Sequence, residues 1–154
     1  MKRVIASLMM LMILSIVAAC AAGDYAIDEP YAYPVDTQSE EWDALTPRER
    51  REVFSIPQEI IDDMTTQALL ISVLNNPFLS DAWAYSTGEQ MVEVAVGLNG
   101  AHGIDGVAEL MERDDIQEEL QWAKKRYSDD VYSNRVDLLI FIYEHYVLGF
   151  PYPY

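Results

Sequence analysis

From residue 42 onward the apolar positions recur at helical spacings, in short runs cut by Pro, Gly and Asn. Thr46 followed by Pro47 and Glu49 sets a hydroxyl at the cap, proline at the first helical position and an acid at the third, which predicts a short helix to about Phe54. Pro57 opens another, with Ile60, Ile61 and Met64 on its apolar side and Asp62-Asp63 facing out. Thr65 or Thr66 caps the next, where Leu69, Leu70, Val73 and Leu74 repeat at the i, i+1, i+4, i+5 spacing of a buried helical face. Asn75-Asn76-Pro77 stops it, because the residue before a proline is pushed out of the helical region. A further short helix over 78–85 presents Leu79, Ala82 and Trp83 or Tyr85 to the core.

The next segment carries two patterns. Val92, Val94, Val96 and Leu98 alternate as a strand would, whereas Glu89, Glu93 and Gly97 lie four apart as the polar edge of a helix, opposite Met91, Ala95 and Leu98. Helix is the expectation. After Asn99-Gly100, the residues Ile104, Val107, Ala108 and Met111 form an i, i+3, i+4, i+7 face. Ile116, Leu120, Ala123 and Tyr127 form another, with Asp114, Asp115, Glu118 and Glu119 at its start and Lys124, Lys125 and Arg126 at its end. That charge order complements the helix dipole. Ser133 or Asn134 caps a last helix holding Val136, Leu138 to Tyr143 and Tyr146 to Leu148, apolar enough to be expected at the centre of the core. Gly149 ends it, and 151–154 is expected as an extended aromatic tail. The fold class is therefore all-α: a compact bundle of about six to eight short helices in one domain over 42–150.

The first twenty residues follow a different rule. Lys2 and Arg3 precede an apolar run, Val4 to Ala19, that closes in Val17-Ala18-Ala19-Cys20. A charged start, an apolar middle and small residues before a break are what a signal peptide needs, here spanning 1–19. Where the run meets Cys20 it resembles the lipobox of a bacterial lipoprotein precursor. The resemblance implies cleavage between Ala19 and Cys20 and acylation of Cys20 by palmitate or a similar chain. It also places the protein on the cell membrane or outer membrane, lipid-anchored and facing the periplasm or exterior. Two other readings stand beside it: an uncleaved membrane helix over Val4 to Gly23, near the lower limit of spanning length, and a cysteine buried as a small hydrophobe. Because Cys20 is the only cysteine, no internal disulfide can form. From 20 to 41 no helical period occurs and Ala, Pro, Tyr and acids dominate, so this stretch reads as a lipidated N-terminus and flexible acidic tether reaching on the order of 60 Å when stretched.

Charge narrows the partners. The chain holds 26 acidic and 10 basic residues, a formal net charge of −16, and removal of the signal takes Lys2 and Arg3 away as well. Such a surface repels nucleic acid phosphates and anionic lipid heads. A nucleic acid partner is excluded; a cationic partner, metal ions or plain solubility are what acidity suits.

From Trp42 onward the chain carries Leu45-Thr46, Glu49-Arg50, Ile56-Pro57-Gln58-Glu59, Met64-Thr65-Thr66, Ala68-Leu69, Val73-Leu74, Pro77, Asp81, Ala84-Tyr85, Leu98-Asn99-Gly100 and Glu109 to Asp114. In this order they are similar to small exported helical proteins of bacteria, over roughly residues 42 to 125. The resemblance implies an all-helical fold and carries over no functional residue. Gly97, Gly103 and Gly106 depart from its pattern.

Chemistry offers little. Asp62-Asp63, Asp114-Asp115 and Asp129-Asp130 are adjacent acids whose side chains diverge, whereas catalytic carboxylates are held a fixed distance apart. His102 and His145, the only histidines, are too far apart in sequence for a zinc pair, and Asp129, Asp130 and Asn134 lack the oxygen ladder of a calcium loop, so no metal and no cofactor is expected. No nucleophile elbow, phosphate loop or dinucleotide fingerprint occurs. Tyr31, Tyr33, Tyr152 and Tyr154, paired with prolines near the two ends, offer flat rings for contact with a partner, or else anchor their segments to the domain. The expectation is a non-catalytic envelope lipoprotein with two partners: the bilayer through Cys20, and an envelope protein or glycan through the helical domain. Two alternatives remain. One is an envelope hydrolase of glycan or peptide with Asp81, Asp105 or Asp114 converging in a cleft; the other is an acidic inhibitor or immunity-type protein for a basic partner.

Overall fold

In the computed structural model, residues 26–129 and 131–152 are described. Ala19, Cys20 and Tyr154, with the signal segment, lie outside the described residues. The described chain forms eight α-helices and no strand: α1 (Glu40–Ala44), α2 (Pro47–Val53), α3 (Gln58–Asp63), α4 (Thr66–Asn75), α5 (Gly88–Val96), α6 (Val107–Met111), α7 (Ile116–Arg126) and α8 (Ser133–Ile142). Short 3-10 segments at Pro77–Ala84 and Leu98–Gly100 and a π turn at Tyr143–Val147 complete the all-α bundle.

Local chemistry accounts for most of the boundaries. At α2 the capping box is complete: the Glu49 amide donates to Thr46 Oγ1 at 3.3 Å and the Thr46 amide donates to the Glu49 carboxylate at 2.8 Å. Those bonds from Thr46 hold the Glu49 carboxyl below the usual carboxylate range. Thr65 caps α4 and Thr87 caps α5, each hydroxyl accepting an amide proton from the first turn of its helix. The segment over 92–98 is helical through Val96, as its charged edge indicates, and Gly97 ends it in the left-handed region.

Two elements differ from expectation in kind. Over 77–84 the turn is 3-10, with the Leu79 amide bonding to Asn76 O and the Tyr85 amide to Ala82 O. Asn76, Leu79 and Ala82 are three apart and all buried, a period of three that fits the tighter helix. In the last helix, Val136, Leu138, Leu139 and Ile142 are fully buried as expected, but the apolar run beyond them is not. At Tyr143 the helix widens into a π turn, with the Leu148 amide bonding to Tyr143 O, and Tyr146, Val147 and Leu148 point to solvent.

The flexible tether expected to reach residue 41 is packed chain from Ile27 onward. Ile27 donates its amide to Asp63 O at 2.7 Å and accepts from the Thr65 amide at 3.0 Å, a single bridge that pins the segment beside α4. Beyond it Tyr31 and Tyr33 are half-buried and Val35 is buried, while Ala32 and Pro34 between them face water. Extended backbone turns alternate residues to one side, so this strip covers the core without any regular ladder.

Helix α4 lies at the centre. Ala68, Leu69, Leu70 and Val73 are fully buried against α6, α7 and the 3-10 segment 77–84. Gly106, at φ +83°, brings the start of α6 down on it: a Cβ there would sit 3.0 Å from Leu69 Cδ1 and 3.1 Å from Val73 Cγ2. Gly106→Ala is therefore expected to destabilise by roughly 1–2 kcal/mol from the left-handed backbone alone, and Leu139→Ala by about 2–5 kcal/mol from cavity formation. Val131→Ala, at a residue 83% exposed, is expected to stay within about 0.5 kcal/mol. Urea melts of the three variants check this ranking.

Candidate functional site

An open concave surface is built where α2 faces the turn into α6. Arg48 and Arg51, three apart on α2, point to the same side. Arg48 bonds Glu52 at 2.8 Å. The Arg51 guanidinium instead lies 5.1 Å from the centre of the Phe78 ring, and among the described residues no carboxylate pairs with it. Arg50 turns away, its guanidinium 4.6 Å from the Trp42 ring and its Nε donating to Trp42 O.

Opposite α2, the segment 101–105 is held against α5 by backbone. A Cβ on Gly97 would come within 3.0 Å of the Gly103 backbone, so only glycine at both positions permits the approach, and the Ile104 amide then bonds Ala95 O at 3.0 Å. This fixes His102, exposed, and Asp105, whose carboxylate accepts from the Ser55 hydroxyl, on the far rim. The floor is aromatic. Phe54 packs on Tyr33 at 4.6 Å and edge-on to Trp42 at 5.4 Å and to Phe78 at 6.2 Å.

The result is an open groove of about 880 Å³ between Arg48, Arg51, Phe54, Phe78, His102 and Asp105. A second, of about 460 Å³, continues it past Asp81 and Tyr85. Arg51, Phe78, His102 and Ile104 line both, so Arg51 stands at their junction. Asp81 and Asp105 thus open onto adjoining grooves, while Asp114 sits in the turn before α7 and lines neither. Ser55 gives its hydroxyl proton to Asp105 and not to an imidazole, and among the described residues no three His, Cys, Asp or Glu side chains are grouped to hold a metal ion. Chemically the groove offers the Arg51 guanidinium over the Phe78 ring, with the Arg48–Glu52 pair, His102 and the Ser55-bonded Asp105 around it, an arrangement suited to holding an anionic group beside a flat apolar one.

Tyr33 underlies the floor through Phe54, but none of Tyr31, Tyr33 and Tyr152 lines either groove. Tyr31 donates its amide to Ser72 Oγ at 2.7 Å, and Tyr33 donates its hydroxyl to Ser72 O at 3.1 Å. Burial pushes the Tyr33 hydroxyl above the ordinary phenol range, with a hydrogen bond to Asn76 acting the other way. Tyr152 stacks on His145 at 4.9 Å and leans on Phe141, and His145 Nδ1 lies 2.8 Å from Phe150 O, so the tail folds back onto its own helix. These three rings serve the domain first. Arg51, Phe78 and His102 had no signal in periodicity; glycines 97 and 103, which pack together beside His102, were the one visible hint.

Compared with protein-family models, curated proteins and solved structures, the chain finds no match.

The Ser72 contacts generate a test. Tyr33→Phe removes one bond, and Ser72→Ala leaves the Tyr31 amide without its partner, expected to cost about 1–3 kcal/mol. Because the folded phenol is raised, the neutral form is favoured by folding: stability is full below the unfolded value of about 10 and falls as pH rises from there toward the folded value. Urea melts between about pH 9 and 11 should show this decline in the parent protein and a shallower one in Tyr33→Phe.

Proposed function

We propose that this is a lipid-anchored envelope protein whose helical domain binds a partner by contact and performs no catalysis. Acylation of Cys20 ties it to the bilayer. The lipobox-like Val17-Ala18-Ala19-Cys20 supports that anchor, and each buried methylene of an acyl chain would contribute about 0.8 kcal/mol. The observation that carries the binding reading is Arg51, unmatched by any described carboxylate, lying over Phe78 where two open grooves meet. In a chain of formal charge −16, an isolated guanidinium on an aromatic floor favours a partner that brings a carboxylate next to a ring or sugar face, from an envelope protein or a glycan. Asp105 is engaged by Ser55 and Asp81 opens on the neighbouring groove, which favours binding over paired-carboxylate hydrolysis.

Palmitate labelling and membrane fractionation check the anchor. Cys20→Ser should abolish labelling and release the protein; unchanged labelling and retention would sink the claim. For the groove, the native tethered protein is cross-linked and its partners are identified in the parent and in Arg51→Ala. A charge-assisted contact contributes about 1.5–3 kcal/mol, so recovery of a groove partner should fall about tenfold or more. Equal recovery from both, or turnover of a glycan by the purified protein, would overturn the reading.

A further inference from the structure

The apolar run that α8 was expected to bury emerges at one end of the bundle. Tyr146, Val147, Leu148 and Phe150 are 37%, 44%, 47% and 51% exposed, close together in sequence and gathered by the π turn, and the Leu148 and Phe150 amides bond back to Tyr143 O and Glu144 O. Which end this is follows from the helices around it. Leu148, Tyr143 and Glu144 share a shallow groove of about 440 Å³ with a side of α7 that runs from Gln117, near its start, to Lys124 and Lys125. Just before that start, Asp115 accepts from the Thr66 hydroxyl at the head of α4. Thr65, one residue earlier, donates its amide to Ile27 O. The opposite end is marked by the Tyr132–Asn75 bond and the exposed Val131. The exposed apolar residues therefore sit at the end where the N-terminal chain enters the domain.

The length of chain before that entry decides what faces it. From Cys20 to the pinned Ile27 there are seven residue steps, about 25 Å at full stretch. That is less than the roughly 30 Å diameter of a small domain, so an acylated Cys20 keeps the entry end the nearer one to the bilayer. We infer that Tyr146, Val147, Leu148 and Phe150 rest in the bilayer interface, taking a zwitterionic lipid surface as their occupant; this rests on the acylated Cys20 proposed above. Tyrosine and phenylalanine suit that depth, with an apolar ring and, for tyrosine, a polar tip. The choice of zwitterionic lipid follows from charge: Lys125 and the Asp137-paired Lys124 line the groove beside Leu148, but the exposed Asp62, Asp63, Asp115 and Glu118 around the same end outnumber them and oppose anionic headgroups. The patch adds a second, weaker hold to the acyl chain and fixes which way the Arg51 groove faces.

The test uses the full acylated protein in vesicles of phosphatidylethanolamine and phosphatidylcholine. With Cys20 acylated, Val147→Cys and Val131→Cys each supply a single free thiol for a nitroxide label, whose depth is read from its accessibility to oxygen against a water-soluble nickel chelate. The expected result is a label at 147 about 5–10 Å into the interface and a label at 131 in water. Adding Leu148→Asp and Phe150→Asp to the Val147→Cys protein should move that label outward while the protein still sediments with the vesicles. Sedimentation with both labels in water overturns the orientation and leaves the anchor standing. Failure to sediment overturns the anchor and the orientation with it.

Discussion

Helix α4 has almost no polar face, and the rest of the domain is arranged by the need to cover it. Seven of its ten residues are buried, so a single packing partner cannot suffice. The helices α6 and α7 and the 3-10 segment 77–84 take most of its surface. What they leave includes Ser72, whose hydroxyl donates to Ala68 O at 2.8 Å and still has lone pairs to fill. The N-terminal strip supplies that last cover: Tyr31 brings an amide to Ser72 Oγ and Tyr33 a hydroxyl to Ser72 O, with their rings lying over apolar neighbours. A buried hydroxyl on the central helix thus fixes where the chain outside the bundle must run.

That constraint propagates to the groove. Tyr33 stacks on Phe54, Phe54 meets Trp42 and Phe78, and Phe78 carries the Arg51 guanidinium, so the groove floor continues the aromatic packing of the strip. The same strip would shorten the leash of the anchor proposed at Cys20. A segment that would reach far from the membrane as free coil is held from Ile27 by two backbone bonds, to Asp63 and from Thr65. Under the anchor proposed at Cys20, proximity to the bilayer and the shape of the groove would have one origin.

Most of the fold was legible because local signals agreed. The Thr46 and Thr65 caps, the break before Pro77 and the charge order of α7 each specify an element without reference to the others. Legibility failed where long-range packing decides. The strip 27–35 has no helical period, and its alternation of Tyr31, Tyr33 and Val35 is too short to distinguish from a tyrosine-rich linker until Ser72 is placed beside it. The apolar run after Ile142 reads as core on pattern alone, yet the π turn at Tyr143 rotates Tyr146 to Leu148 out of register with the buried stripe. The groove joins α2, Asn76 and the turn at 101–105, pieces distant in sequence whose meeting depends on glycines 97 and 103 touching.

The pinned strip is the central claim, since the covered helix, the aromatic floor and the short leash proposed for Cys20 all require it. Amide hydrogen exchange on the full chain measures it directly. The amides of Ile27, Tyr31 and Thr65 should be protected and should open together with α4; exchange of all three at the rate of an unstructured peptide would contradict the account.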